Sequence, residues 1–229
     1  MKNGHLITRL LELGAGIYDS VLKLTLDERR FRERLIQMAE LTGDEQVLDI
    51  GCGTGTLDLI LAKFLNDGYV WGIDISRKMI KQARRKVQRS GCKIKYQLGS
   101  SESLPYKSNV FDVVFTSLIY HHLTYEEKEE TLREIHRVLK PTGRYVSAEF
   151  GRFPDDPLHR IFIRFTPSDS KHLMALTHNS GVLHGLYPPD LIETAGFYVV
   201  RQIDGPLLGG HHQVIYRFSQ KEAVRNQFL

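Results

Sequence analysis

Cysteine is scarce. Cys52 and Cys92 are the only two in 229 residues, which excludes a disulfide framework and a cysteine metal cluster. No apolar run approaches the ~20 residues that span a bilayer. The first residues, MKNGHLITRLLELGAGIYDS, carry charges through their apolar stretch and lack the design of a signal peptide. A cytoplasmic setting is therefore the expectation. No internal repeat or low-complexity tract is present. Neither sign of charge dominates: the net charge of +4 and pI near 9.0 permit acidic partners without demanding them. Hydrophobic residues at 41% and charged residues at 25% are the proportions of an ordinary folded chain.

What is present is an alternation of strands and helices. Leu6, Leu10, Leu13, Ile17 and Val21 have helical spacing, and a second helix is expected over Leu26–Leu41. Val47–Ile50 reads as a strand, followed by a helix to about Leu65. Tyr69–Ile73 is a second strand ending on Asp74. Ser76 is a suitable N-cap for a helix over Arg77–Arg89. Lys93–Leu98 and Val110–Phe115 are the next strands, the second apolar enough to be covered on both faces. Thr124-Tyr125-Glu126-Glu127 resembles a capping box opening a helix to Leu139. Lys140-Pro141-Thr142-Gly143 closes that helix, and Arg144–Phe150 is the fifth strand. After an irregular stretch, a helix over Pro189–Ala195 and strands over Phe197–Ile203 and His212–Phe218 are expected. This order predicts a doubly wound, largely parallel α/β sheet with its ligand beyond the carboxyl ends of the strands. The expected divisions of the one domain are a helical cap (1–42), a core (43–150), an insertion lying over the binding edge (151–187) and a closing helix with two strands (188–229).

Gly51-Cys52-Gly53-Thr54-Gly55 lies between the first strand and its helix. Glycines there let backbone approach a ligand, and the helix N-terminus offers free N–H groups. The spacing is G-x-G-x-G, so the third glycine of a dinucleotide fingerprint is missing. Asp49 precedes the turn. Beside a pyrophosphate it would be repelled by at least ~1 kcal/mol even in water, whereas a cationic or zwitterionic ligand suits it. Asp74 is placed for ribose hydroxyls in either case.

VLDIGCGTG, GIDIS with the following Met79, the loop before Leu104-Pro105-Tyr106, FDVVFTSLIYHHL and LREIHRVLKPTGRY occur in that order. Together they resemble class I S-adenosylmethionine-dependent methyltransferases, in particular the group containing the ubiquinone/menaquinone biosynthesis C-methyltransferases. The resemblance covers roughly residues 40–150 and implies a Rossmann-like sheet, mostly parallel with an antiparallel last strand. It implies S-adenosyl-L-methionine as cofactor, with its methionine along Gly51, Cys52, Gly53, Thr54 and Gly55 and Asp49 ordering that turn. By the same resemblance Asp74 takes both ribose hydroxyls, Ile75 and Met79 lie against the adenine, and Ser101 and Glu102 stand at the adenine edge. Ser117 offers its backbone near the methionine, and Tyr18 closes over the cofactor. Ser100 departs from the family, where an Asp commonly accepts from the adenine amino group. A hydroxyl accepts without charge assistance, roughly half as strongly, and Glu102 is the neighbouring substitute.

Methyl transfer needs alignment more than acid–base chemistry, because the cofactor brings the activated carbon. His121 is the candidate for orienting or deprotonating an acceptor, with Tyr120 beside it. Packing of the loop is the plainer role for the histidine pair His121 and His122. His211 and His212 read as structural, and no metal site is expected. The helix 77–89 holds Arg77, Lys78, Lys81, Arg84, Arg85, Lys86 and Arg89 without an acid. A solvated face is its default meaning, with RNA or an anionic surface as the alternative partner. DNA is not expected, since Ser117-Leu118-Ile119-Tyr120 stands where amino-directed DNA methyltransferases carry Asn-Pro-Pro-Tyr. The insertion, with Phe153, Phe162, Ile163 and Phe165 beside Arg152, Arg160 and Arg164, is the expected determinant of substrate. The reading is a methyltransferase for a small or medium-sized, lipophilic or quinone-like acceptor. Its alternatives are an RNA or protein methyltransferase and a non-catalytic cofactor-binding scaffold. The sequence implies no oligomeric state.

Overall fold

The computed structural model describes residues 28–150, 189–206 and 212–220. The expected helix over 6–22, Tyr18, the insertion 151–187 and His211 lie outside the described residues. The elements are α1 (Glu28–Ala39), β1 (Gln46–Ile50), α2 (Thr56–Leu61), β2 (Tyr69–Asp74), α3 (Arg77–Ser90), β3 (Ile94–Leu98) and β4 (Phe111–Ser117). A short 3-10 turn (Tyr120–His122) leads to α4 (Tyr125–Val138), β5 (Leu139–Phe150), α5 (Pro189–Thr194), β6 (Phe197–Pro206) and β7 (His212–Gln220). The sheet order is β3-β2-β1-β4-β5-β7-β6. β1, β2, β3, β4 and β5 pair in parallel, and β7 runs antiparallel to both β5 and β6. The order reverses between β1 and β4, so the carboxyl ends of these two strands border the crevice where such sheets bind ligands.

Side-chain alternation assigns the two faces. Val47, Val70, Val113, Phe115 and Val146 point to one side, beneath Phe31, Leu35 and Met38 of α1 and Leu57 and Leu61 of α2. Leu48, Ile50, Ile73, Val114 and Tyr145 point to the other, beneath Leu132, Ile135 and Val138 of α4 and Leu191 and Ile192 of α5. Each large apolar side chain so buried contributes on the order of 1.5–3 kcal/mol. Asp49 follows Val47 by two residues. It therefore points toward α1 and α2, into an otherwise apolar layer, where it is 2% exposed.

Two boundaries differ from the sequence-based expectation. α2 ends at Leu61 rather than about Leu65 because the chain is pulled round by one acceptor: the N–H groups of Asn66, Asp67 and Gly68 all donate to the Gly43 carbonyl (2.8, 3.2 and 3.2 Å). β5 begins at Leu139, the expected last residue of the helix, and runs through 140–143, expected to be a turn. Leu139 pairs with Phe111 and Arg144 with Val113, so residues 140–143 are a bulge within the ladder. Lys140 fastens that bulge to both carboxylate oxygens of Asp112 (2.7 and 2.9 Å). The expected capping box is present: Thr124 Oγ1 accepts from the Glu127 N–H, and the Glu127 carboxylate accepts from the Thr124 N–H.

Candidate functional site

The turn after β1 is built from three glycines in left-handed conformation, Gly51 (φ 72°), Gly53 (φ 54°) and Gly55 (φ 73°). Their surroundings differ. A Cβ on Gly51 would fall 2.3 Å from Cγ2 of Ile119, and one on Gly55 would fall 2.1 Å from the Tyr96 hydroxyl, whereas one on Gly53 would meet nothing within 4 Å. Gly51 and Gly55 thus answer to the protein's own packing, and Gly53 faces open space. Gly53→Ala is expected to fold with a penalty near the ~1–2 kcal/mol of a left-handed alanine and to weaken ligand binding at the turn at least about tenfold. Gly51→Ala must also displace Ile119 and is expected to lose more stability. Thermal melts and binding calorimetry on both variants separate the two effects.

The turn hangs on β2. Gly51 and Cys52 donate to the Ile73 carbonyl (2.8 and 3.1 Å), and Gly53 donates to Asp74 Oδ2 (2.9 Å). Asp74 Oδ1 accepts from the Ser76 N–H (2.8 Å), and Ser76 Oγ caps α3 by accepting from Met79 N–H (3.3 Å). Each Asp74 oxygen therefore holds one backbone N–H and retains a lone pair. The residue is half-buried at the rim, and burial raises its carboxyl above the ordinary range while the two N–H groups oppose that rise. Ile75 beside it is 56% exposed, whereas Met79 is 4% exposed, packed beneath the rim. Of the two residues expected against an adenine, Ile75 alone offers an open face. Cys52 is buried, which pushes its thiol well up and leaves it unreactive. The Thr54 hydroxyl turns from the turn toward α3, where Lys86 Nζ donates to Thr54 Oγ1 (2.6 Å) and Thr56 Oγ1 (2.9 Å).

Behind the turn lies a buried acid pair that sequence reasoning missed in part. Asp49 of β1 faces Asp58 of α2, and both are wholly enclosed with Tyr96 and the Arg32 side chain as neighbours. Asp49 Oδ1, both Asp58 oxygens and the Tyr96 hydroxyl lack a conventional hydrogen-bond partner. Two carboxylates in contact attract only if a proton lies between them. Burial, reinforced by Asp58, pushes Asp49 well up, and burial pushes Asp58 up to about 6. The pair titrates as a unit with both carboxyls raised, so it places less negative charge under the glycine turn than two free carboxylates would. Asp58 gave no motif signal. An Asp two residues after Thr56, within an apolar helical stripe, was the available hint.

The loop after β3 is fastened to α4. Thr131 donates to Ser101 Oγ (2.8 Å), and Glu134 accepts from the Leu104 N–H (2.7 Å). Arg137 donates to the carbonyls of Tyr106 and Leu104 (2.7 and 3.0 Å). Ser101 is thus directed to α4 rather than to the rim. Ser100 is half-buried. Glu102 keeps a buried Oε2 without a partner, and burial raises its carboxyl, aided by Glu127 and Glu130. Of the three, Glu102 has an acceptor oxygen unclaimed by the fold.

The segment after β4 closes the crevice. Leu118 takes φ 58°, a conformation costing a non-glycine residue on the order of 1–2 kcal/mol. Three bonds hold it there. Leu118 N–H donates to the Ala148 carbonyl (2.9 Å), and the buried Glu149 Oε1 accepts from the N–H groups of both Ile119 (2.9 Å) and Tyr120 (2.8 Å). Lys128 of α4 faces Glu149; burial lowers its ammonium and Glu149 partly restores it. The strained turn swings Ile119 onto Gly51 and the Tyr120 ring into the core, where it is 0% exposed among Leu48, Ile50 and Tyr145. Tyr120 is thereby a packing residue, which corrects its expected place among the reacting groups. His121 lies in the same 3-10 turn, and His122 is exposed. Ser117 ends β4 half-buried beside Ala148.

A glycine turn at the strand-order switch, an acid at the end of the second strand and a parallel sheet closed by an antiparallel seventh strand define a class I methyltransferase-type domain. Residues 47–143 match the family model described as a methyltransferase domain. The chain is 36% identical over 137 residues to a ubiquinone/menaquinone biosynthesis C-methyltransferase of Wigglesworthia glossinidia brevipalpis, covering 58% of this chain and 54% of that one. It is 38% identical over 159 residues to a demethylmenaquinone methyltransferase of Lactiplantibacillus plantarum, covering 67% and 66%. These matches span less than two thirds of either relative. A methyltransferase structure from Aquifex aeolicus, described as S-adenosylmethionine-dependent, shares the fold with a TM-score of 0.62 at 20% identity, over 84% of this chain and 90% of that one. Over residues 47–143 the chain therefore carries a methyltransferase domain, in the fold it shares with that structure. Among the described residues no helix is long and apolar enough to cross a membrane.

Proposed function

We propose that the protein transfers a methyl group from S-adenosylmethionine to a small or medium-sized, lipophilic, quinone-like acceptor. The acceptor class rests on the relatives named for ubiquinone and menaquinone biosynthesis. Binding of the cofactor rests above all on Asp74, whose two oxygens are aimed by Gly53 and Ser76 and each retain a lone pair. That geometry suits a vicinal diol such as ribose. The open space over Gly53 is the cradle a close backbone contact requires. The acidic character of the Asp49–Asp58 pair suits a ligand carrying ammonium and sulfonium groups. The unpartnered Glu102 oxygen suits an exocyclic amine, and Ile75 a flat ring.

S-adenosylmethionine, when bound, supplies an activated methyl carbon, so the acceptor need only be aligned for displacement. Alignment is the task of this chain's residues, and it can be worth ~7–11 kcal/mol. Glu149 fixes the turn 118–122 and Ile119 walls the methionine end of the crevice. His121, in the turn that Glu149 fastens, is the residue proposed to orient the acceptor. Tyr18 and the insertion 151–187 keep their proposed parts as cover and substrate determinant.

Calorimetry with S-adenosylmethionine, S-adenosylhomocysteine and NAD tests the cofactor assignment: the first two are expected to bind and NAD is not. Asp74→Asn keeps an oxygen for one N–H and loses the charge. It is expected to lower affinity about ten- to a hundredfold, as for one or two charge-assisted hydrogen bonds, and to cost about 1–3 kcal/mol of stability for the N–H left without its acceptor. Binding of NAD alone, or unaltered affinity in the variant, refutes the assignment. Transfer of label from the cofactor to a quinone precursor distinguishes turnover from a binding scaffold.

A further inference from the structure

The charge of this protein is segregated. Residues 77–98 hold nine of the 31 Lys and Arg residues and none of the 27 Asp and Glu residues. With a chain total of +4, the rest of the molecule carries −5. Seven of the nine cations belong to α3; Lys93 and Lys95 stand just before and within β3, the strand at one edge of the sheet, and point to the sheet face opposite α3, because Ile94 and Tyr96 are the side chains packed beneath the helix. α3 buries Met79, Ile80 and Ala83 against the sheet. Its opposite face exposes Arg77, Lys78, Lys81, Arg84, Arg85 and Arg89, and β3 with the residue before it exposes Lys93 and Lys95. At about 1.5 Å per residue the helix is a rod roughly 20 Å long, so the six exposed cations of α3 form a strip of about that length on a convex face rather than in a groove. The strip reaches the crevice, because Ser76 caps α3 directly after Asp74. There Ile75 (56%) and Leu98 (36%), the residue paired with Asp74, are exposed aliphatic side chains.

We infer that this face docks the enzyme on an anionic lipid bilayer, with Ile75 and Leu98 turned to the lipid at the mouth of the cofactor crevice. Three observations favour a bilayer over RNA. The six exposed cations of α3 share one convex helix face and line no groove. The rings beside the edge strand, Tyr69 and Trp71, carry Lys93 and Lys95 ammonium groups at 5.5–5.6 Å from their centroids, so those faces are not free to stack bases, and the ring beneath α3, Tyr96, is buried. The exposed groups at the mouth are aliphatic, which suits lipid. The choice of bilayer also rests on the proposed lipophilic acceptor, which would be reached from the membrane surface through the adjoining crevice.

The test is co-sedimentation of the full chain, without acceptor or turnover, with vesicles of phosphatidylcholine alone or mixed with phosphatidylglycerol. Binding is expected to the mixed vesicles only and to fall steeply with salt. The fourfold variant Arg77→Gln, Lys81→Gln, Arg85→Gln, Arg89→Gln is expected to lose roughly 100- to 1,000-fold in partitioning. Its cofactor affinity should be unchanged, showing that fold and crevice are intact. The charge-conserving set Arg77→Lys, Lys81→Arg, Arg85→Lys, Arg89→Lys is expected to bind as the parent. Equal partitioning onto both vesicle types, an undiminished fourfold variant, or salt-dependent binding to a structured RNA with none to vesicles overturns the inference. Because no methyl acceptor enters this assay, failure to methylate quinone precursors leaves its outcome unaffected.

Discussion

Asp58→Asn is expected to make the protein more stable at neutral and alkaline pH, by an amount that disappears on acidification. The Asp58 carboxyl titrates at about 6 in the fold against 3.8 when free, chiefly because of burial. A raised carboxyl pKa means that the folded state binds more protons than the unfolded one between about pH 4 and pH 6. Stability from this group is therefore fully present below about pH 4 and is lost as pH rises through about 6. A difference of about two units corresponds to roughly 3 kcal/mol. Asparagine has the same shape, stays neutral and donates to Asp49, so the variant escapes the loss. Urea denaturation of both proteins at several pH values between about 4 and 8 should show the gap opening through this window and then levelling. A gap independent of pH would mean that no proton is shared between Asp49 and Asp58. Cofactor affinity is expected to change little, because the substitution leaves the bonds that hold the glycine turn to Ile73 and Asp74 untouched.

Glu149→Ala is expected to abolish methyl transfer and to cost roughly 2–5 kcal/mol of stability. It leaves the N–H groups of Ile119 and Tyr120 without their acceptor, and each unsatisfied buried donor costs about 1–3 kcal/mol. It also releases the left-handed Leu118, so the turn bearing His121 loses the conformation that places it. Glu149→Gln is the informative control. Both N–H groups converge on a single oxygen, Oε1, and an amide carbonyl can occupy that position. The glutamine variant should therefore keep most of the stability and lose only charge assistance. Steady-state kinetics are expected to show a lowered kcat at nearly unchanged cofactor affinity. Equal damage from alanine and glutamine would assign Glu149 to its charge toward Lys128 instead of to the turn.

The sequence disclosed whatever is local. Gly51-Cys52-Gly53-Thr54-Gly55 between a strand and a helix, the Ser76 cap and the Thr124–Glu127 box are each written within a few residues, and the structure has them in place. Asp74 was legible because a carboxylate ending the second strand has one common use. The remainder depends on residues distant in sequence. Glu149 lies in an apolar strand and becomes a clamp only because β5 pairs with β4. Tyr96 and Asp58 meet only because β3 lies beside β2 with α2 above them. The bulge at 140–143 is indistinguishable from a helix-ending turn until Arg144 is seen paired with Val113. Thr54 was placed at the ligand by the resemblance alone, and its hydroxyl accepts from Lys86 of α3, a partner remote in sequence.

One ring links three of these positions. A Cβ on Gly72 would stand 2.6 Å from Cε1 of Tyr96, and one on Gly55 would stand 2.1 Å from the Tyr96 hydroxyl. The tyrosine thus fills the volume that two glycines on different elements leave vacant, one of them in the cofactor turn itself. In evolutionary terms positions 55, 72 and 96 are a single inheritance. A larger residue at 55 or 72 becomes admissible only after the ring at 96 has shrunk, and a smaller residue at 96 opens a cavity under the turn unless one of the glycines grows to fill it.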